Sequence, residues 1–216
     1  MANLKGIAFD FDGVILETVS IKIEAMADLF RDHHDHLDEI VAIHETHAGF
    51  SRFIKFDMIY RDVLKIPLAP ETRAELGQQF SEFVLEKVLA CPFVAGAREF
   101  LEARHETTSL FIVSGTPDVE LLTITSERGL DPHFAGVYGS DRNKPEILSA
   151  IMDEQGWEAR DMAFIGDGLT DFDAAAATSI PFIGRVPKNH DNPFPAGTLV
   201  IPDLNGLNRA LEDLAA

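Results

Sequence analysis

Cysteine occurs once in the 216 residues, at Cys91. A lone thiol excludes an internal disulfide and fits a reducing compartment. Beside Pro92, with no histidine near it in sequence, it reads as a packed small hydrophobe. Basic side chains are also scarce, 18 Lys and Arg against 36 Asp and Glu, for a formal net charge of −18. Nothing forms a basic stripe, which argues against a nucleic-acid partner. No apolar run approaches the ~20 residues that cross a bilayer, and Met1-Ala2-Asn3-Leu4-Lys5 leads straight into the first strand with no signal-peptide pattern. A cytoplasmic protein without membrane contact is expected. The rest of the composition is ordinary, 46% hydrophobic and 25% charged, and the length suits one core domain with a modest insertion.

Against this background the segment Ile7-Ala8-Phe9-Asp10-Phe11-Asp12-Gly13-Val14-Ile15-Leu16 stands out. An apolar run that reads as a buried strand ends in two carboxylates one residue apart, and a glycine then turns the chain. Residues i and i+2 of a strand share a side, so Asp10 and Asp12 start out together while Phe9 and Phe11 point into packing. Two carboxylates this close repel unless a cation lies between them or one is protonated. That pattern points to a divalent metal, and hard oxygen ligands favour magnesium. Two more apolar runs end in polar residues, Leu110-Phe111-Ile112-Val113-Ser114-Gly115-Thr116 and Ala163-Phe164-Ile165-Gly166-Asp167-Gly168-Leu169-Thr170-Asp171. Lys144 stands between them, just before a helical stretch. Polar residues at the carboxyl ends of several strands match the rule for open α/β sheets, whose ligands bind outside those ends.

The order Asp-x-Asp-Gly, Ser-Gly-Thr, Lys-Pro and Gly-Asp-x-x-x-Asp resembles the haloacid dehalogenase superfamily of hydrolases, specifically its phosphatase branch. All four motifs stand in the family's order from Asp10 to Asp171. The segment after the first motif and Pro92-Phe93-Val94-Ala95-Gly96-Ala97 also resemble the subgroup containing phosphoglycolate phosphatase and β-phosphoglucomutase, although Ala95 stands where the family often has a second proline. The resemblance implies Asp10 as the nucleophile on phosphorus, and Asp12 as the general acid that protonates the leaving alcohol and then the base that activates water. It further implies magnesium on an Asp10 oxygen, the Asp12 backbone carbonyl and the Asp167 side chain. Ser114, with the Gly115 and Thr116 amides, would bind the phosphate and Lys144 would offset its charge. Asp171 would orient either a metal-bound water or Lys144. Gly49-Phe50-Ser51-Arg52 is similar to the segment of β-phosphoglucomutase whose Arg meets substrate phosphate, while an Arg pairing with a carboxylate is the alternative for Arg52. The implied partner is a small phosphorylated metabolite, drawn against the chain's net negative charge by the metal, Lys144 and Arg52.

From Leu16 to about Leu89 the pattern is helical. Ile21, Ala25 and Leu29 mark one helix, and Ile40, Ile43 and His44 another. Phe53, Phe56, Tyr60, Val63 and Leu64 form a third stripe, and Leu76, Phe80, Phe83, Val84 and Val88 a fourth, with Pro67 and Pro70 between the last two. Strand patterns return at Ser109–Gly115, Ala163–Gly166, Pro181–Val186 and Thr198–Ile201. The expected architecture is a doubly wound, Rossmann-like parallel sheet made by residues 1–15 and 91–216, with a helical cap inserted at 16–90. Ala174–Ala177 predicts a helix in close approach to a neighbour. The loop Pro187–Pro195 reads as a surface connection that could reach over a site. His33, His34 and His36 read as a solvated helix end, since no matching metal-ligand spacing accompanies them.

Three rivals remain distinguishable. A mutase of the β-phosphoglucomutase type needs a second substrate phosphate held, with Arg52 the one hint. A phospho-acceptor signalling domain without turnover places its acidic pair and its phosphorylated Asp on different strands and has no helical insertion. Dehalogenases of the superfamily lack the second Asp, because halide departure needs no general acid.

Overall fold

The computed structural model describes residues 4–214. Its centre is β1 (Gly6–Phe9), buried on both faces, which is why the run contains no alternation of polar residues. β2 (Ser109–Val113), β3 (Gly136–Tyr138), β4 (Met162–Gly166), β5 (Phe182–Arg185) and β6 (Val200–Ile201) complete a six-stranded sheet. The spatial order is β3-β2-β1-β4-β5-β6, parallel at every pairing. The chain winds outward from β1 through β2 and β3, then returns to lay β4 on the other side of β1. Strand order reverses there, so a crevice opens at the carboxyl ends of β1 and β4. Phe9 pairs with both Ile112 and Ile165, so the three strands that carry the polar motifs end level with one another.

Between β1 and β2 lie α1 (Val19–Leu29), α2 (Leu37–Thr46), α3 (Arg52–Met58) and α4 (Pro70–Ala90). The third stripe is not one uniform helix: α3 widens into a π-helical turn over Ile59–Leu64, closed by Lys65 in the left-handed region at φ 57°. The wider turn keeps Ile59 buried and Tyr60 packed against Phe30. Phe30, Phe56 and Phe80 form the aromatic centre of these helices. The two chain crossings run side by side: Leu16 bridges Phe93, Glu17 N–H donates to Pro92 O at 3.0 Å, and Val94 N–H donates to Ile15 O at 3.0 Å.

α5 (Ala97–Arg104), α6 (Asp118–Glu127) and α9 (Leu207–Leu214) bury Phe100, Leu101, Leu121, Ile124 and Leu211 with the β1 residues Ile7 and Phe9 on one face of the sheet. α7 (Lys144–Gln155) and α8 (Leu169–Thr178) bury Ile147, Leu148, Ile151, Ala174 and Ala175 with Ala8, Phe111 and Phe164 on the other. Adjacent β1 side chains therefore feed opposite cores. The small side chains of α8 let it lie close against α7 and β4, as the alanine run predicts. β3 has no counterpart among the expected strands. It is three residues long, at the sheet edge and only half-buried, so its sequence carries no sustained apolar run. Among the described residues no helix is long and apolar enough to cross a membrane.

Candidate active site

Asp10 is the first residue past β1. Its backbone N–H continues the ladder, donating to Ile165 O at 2.8 Å, and its Oδ1 accepts from Phe11 N–H at 2.7 Å. The carboxylate is 1% exposed. Lys144, the first residue of α7, is buried beside it with Nζ 3.1 Å from Asp10 Oδ2, and also donates to Asp171 Oδ1 at 2.5 Å. Asn143 caps that helix by accepting from Glu146 N–H at 2.9 Å, so the lysine is held by a defined helix start. Asp171 Oδ2 accepts in turn from Gly168 N–H at 3.1 Å. Of the two roles open to Asp171, the contact seen here is with Lys144.

Asp167 follows β4 and completes an acidic cluster: one carboxylate oxygen each from Asp10, Asp167 and Asp171 lie within 4.8 Å of one another. One ammonium faces three carboxylates, and the proton affinities show the imbalance. Burial, then Asp171, push Asp10 up to about 7 against the opposing pull of Lys144. Withdrawal from water, then Asp10 and Asp171, carry Asp167 well above the carboxylate range. Burial alone would lower Lys144, but Asp10 and Asp171 outweigh it and raise its pKa. An all-oxygen, over-negative cluster suits a hard divalent cation, with Asp10 and Asp167 as the carboxylates to hold it. Gly13 makes room for this arrangement. Its φ is +70°, and a Cβ there would stand 2.1 Å from Asp167 Oδ2.

A linkage prediction follows from Asp10. Its folded pKa of about 7 lies above the ordinary 3.8, so between those values the folded chain holds the proton more readily than the unfolded one. Without a divalent cation, the contribution of Asp10 to stability is therefore full below about pH 4 and is lost as pH rises to about 7, whereas that of Asp12, held at about 2, is lost only at the acid end. A cation that binds only the folded state offsets the decline. Magnesium at ~100 times its Kd adds about 2.7 kcal/mol, or about 5–10 °C in a chain of this size. Thermal unfolding should show that gain at pH 8 and a much smaller one at pH 5, where protons compete for the carboxylates. Equal gains at the two pH values would exclude the acidic cluster as the binding site.

Asp12 points away from the cluster. Oδ1 accepts from Thr18 Oγ1 at 2.6 Å, and Oδ2 accepts from Thr116 Oγ1 at 2.8 Å and Lys22 Nζ at 2.5 Å. Burial would raise its pKa, but the Lys22 charge and these hydrogen bonds hold it down to about 2. Lys22 is the cation paired with Asp12. The Asp12 carboxylate is engaged by Lys22, Thr18 and Thr116.

Ser114 and Thr116 are buried at the end of β2. Thr116 N–H donates to Ser114 Oγ at 3.1 Å, so that amide is turned to the serine rather than to the cavity. Gly115 lines the cavity, and a Cβ on it would meet Gly49 O at 2.5 Å. The loop between α2 and α3 thus closes directly onto the β2 end, and Thr170 Oγ1 donates to Ala48 O at 2.7 Å beside it. Arg52 is buried: Nη2 donates to Glu120 Oε1 at 2.6 Å and Nη1 to Ser81 Oγ at 2.7 Å, over the face of Phe80. It lines the same cavity, with its charge matched by a carboxylate of α6.

These groups enclose a cavity of about 320 Å³ containing Asp10, Asp12, Asp167, Gly115 and Arg52, at the lower end of ordinary small-molecule sites. Three further polar residues in its wall, Lys22, His44 and Lys55, have no place in the four motifs. Lys22 and Lys55 left no mark in the sequence, since a lysine between apolar helix positions looks like any solvated one. His44 was legible only as part of the α2 stripe. His190, from the loop 187–195, reaches the cavity as well. His33, His34 and His36 lie on a short 3₁₀ turn away from the acidic cluster.

Two carboxylates, a buried lysine and an acidic cluster at the switch point of a parallel sheet form an arrangement suited to phosphoryl transfer. The chain belongs to the haloacid dehalogenase-like hydrolase family, whose model matches residues 4–178. A curated phosphoglycolate phosphatase from Aliivibrio fischeri is 26% identical over 203 residues, 89% of this chain and 88% of that one. The fold is shared with a hydrolase from Pseudomonas syringae (TM-score 0.78, 19% identity, 98% of this chain and 100% of that one). It is shared equally with a predicted phosphoglycolate phosphatase from Haemophilus somnus 129pt (0.76, 16%, 97% and 98%). CbbY from Rhodobacter sphaeroides, solved with xylulose-1,5-bisphosphate, has the same fold (0.75, 16%, 96% and 99%).

Proposed function

We propose that this enzyme, a phosphatase of the haloacid dehalogenase-like family, hydrolyses a small phosphomonoester in two steps through an aspartyl phosphate on Asp10, with magnesium as cofactor and the cytoplasm as its compartment. One observation carries the reading: Lys144 Nζ stands 3.1 Å from the Oδ2 of Asp10, which lines one cavity with Asp12 and Asp167. We further propose residues 16–90 as a helical cap inserted into a core of 1–15 and 91–216, supported by the adjacent chain crossings at Leu16 and Phe93.

In the first step an Asp10 carboxylate oxygen forms a bond to phosphorus, the ester P–O bond breaks, and the departing oxygen takes a proton from Asp12. In the second step water attacks phosphorus, its proton passes to Asp12, and the Asp10–phosphorus bond breaks to restore the carboxylate. Lys144 favours the ionised form of Asp10 and faces the transferring oxygens, while Ser114 Oγ donates to one of them. Asp171 positions Lys144. Asp10, Asp167 and the Asp12 carbonyl would hold magnesium, which would supply Lewis-acid neutralisation of the phosphoryl charge.

Asp12 enters this cycle from an ionised state, since Lys22 holds it at about 2. A substrate arriving as the phosphate monoanion brings one proton and competes for the Lys22 ammonium, so that proton passes to Asp12, which then gives it to the departing oxygen. Asp12→Asn should accordingly slow hydrolysis of alkyl phosphates by on the order of 10²–10⁴. Formation of the phosphoenzyme from p-nitrophenyl phosphate, whose leaving group needs no proton, should suffer far less. Burst kinetics measures both, and equal losses would remove Asp12 from the acid role. The reaction class itself is tested by phosphate release from a panel of phosphorylated metabolites with magnesium present. No turnover of any phosphomonoester would sink it.

A further inference from the structure

Four cationic or potentially cationic side chains line the cavity from the inserted helices, and they are not equivalent. Lys22 is neutralised by Asp12, and Arg52 by Glu120. Lys55, on α3, is 5% exposed, and among the described residues no carboxylate lies within ion-pair distance of its Nζ. Its nearest polar neighbour is the buried His44, whose Nδ1 is 3.5 Å from Lys55 Nζ.

From this placement, and resting on the phosphatase reading above, we propose that Lys55 and His44 form an oxyanion subsite for the leaving group, so that the substrate is a short phosphomonoester bearing a second anionic group, a carboxylate or another phosphate. A buried ammonium with no ion-pair partner is unfavourable, and the chain tolerates it here by holding Lys55 down: burial, then Lys22, bring its pKa to about 7 against the more distant pull of Asp12 and Asp167. Burial, then Lys55, likewise lower His44 to about 3 and keep it neutral. With Nδ1 turned to Lys55, the neutral ring carries its proton on Nε2 and can donate from there. An entering oxyanion would supply a paired counter-charge to a side chain already withdrawn from water, where charge-assisted hydrogen bonds are strong. The cavity of about 320 Å³ limits the spacer between the two anions to a few atoms. Glu45 is exposed at the rim and also lines the cavity, so the acidic contribution from this helix stays toward solvent, with His44 inside.

The subsite predicts selectivity that can be measured with matched compounds. 2-Phosphoglycolate, 1,3-propanediol bisphosphate and the neutral-ended 2-hydroxyethyl phosphate present a carboxylate, a second phosphate and a hydroxyl at similar reach. Wild-type enzyme with magnesium should show kcat/KM at least tenfold higher for one or both anion-bearing esters than for 2-hydroxyethyl phosphate. The better of the two identifies the anion. In Lys55→Met that ratio should fall to near one, mainly through KM, and Lys55→Arg should restore part of it. A wild-type ratio near one overturns the inference without any variant, as does a ratio that Lys55→Met leaves unchanged, whether the two activities fall together or neither falls. Turnover of 2-hydroxyethyl phosphate separates the two readings. If it is hydrolysed without preference for the anionic esters, or if none of the three is hydrolysed while another phosphomonoester of the metabolite panel is, only the subsite is lost, whereas no turnover of any phosphomonoester fails the phosphatase reading and takes the subsite with it.

Discussion

Asp10→Asn is expected to lower turnover by on the order of 10⁴ or more, the scale seen when a nucleophile that acts as part of a unit is removed. The substitution keeps the shape of the side chain and the oxygen that accepts from Phe11 N–H. It removes one of three crowded carboxylates, and Lys144 retains Asp171. Without a divalent cation the variant should therefore unfold at a temperature equal to or above that of the wild type, while the gain from magnesium shrinks. A folded variant with near-native phosphate release would remove Asp10 from the nucleophile role.

The second large effect belongs to Lys144. A buried lysine facing the transferring group acts as a preorganised donor, and its loss should cost on the order of 10²–10³ in kcat. A solvated lysine would contribute roughly 0–1 kcal/mol. Lys144 is 7% exposed between Asp10 and Asp171, so Lys144→Ala also leaves the acidic cluster without its internal cation. Its apparent requirement for magnesium should rise, and its unfolding temperature at pH 8 without a divalent cation should fall. Assayed at saturating magnesium and substrate, a loss under about fivefold, which is less than 1.4 kcal/mol, would place the positive charge elsewhere, with Lys22 the nearest candidate. Lys144→Arg should recover only part of the rate, because a planar fork replaces a point charge.

The core of the fold and the motif-borne part of the site were legible because each rests on local pattern. β1, β2 and β4 are buried on both faces and so read as unbroken apolar runs, and each ends in the polar residues that line the crevice. What remained hidden depends on tertiary placement. β3 is too short and too exposed to show a pattern. The π-helical turn at Ile59–Leu64 keeps the same apolar residues inward while changing their spacing by one residue in a turn. Lys22 and Lys55 look like solvated lysines until α1 and α3 are folded over the strand ends. Arg52 was singled out by resemblance to a phosphate contact, and the structure shows it in the cavity wall but bound to Glu120 and Ser81. The alternative pairing with a carboxylate is therefore realised, in a buried rather than a surface position.

The most direct measurement is to trap the covalent species. Wild-type enzyme mixed with a rapidly turned-over, ³²P-labelled phosphomonoester and magnesium, quenched in acid within milliseconds and digested, should yield one labelled peptide, containing Asp10. The label should be stable in acid and released by base or hydroxylamine, as an acyl phosphate is. It should be absent from Asp10→Asn and should persist longer in Asp12→Asn, whose second step lacks its base. Phosphate on any other residue, or turnover with no phosphoenzyme under conditions where the first step is complete, would contradict Asp10 as the group that carries the phosphoryl through the reaction.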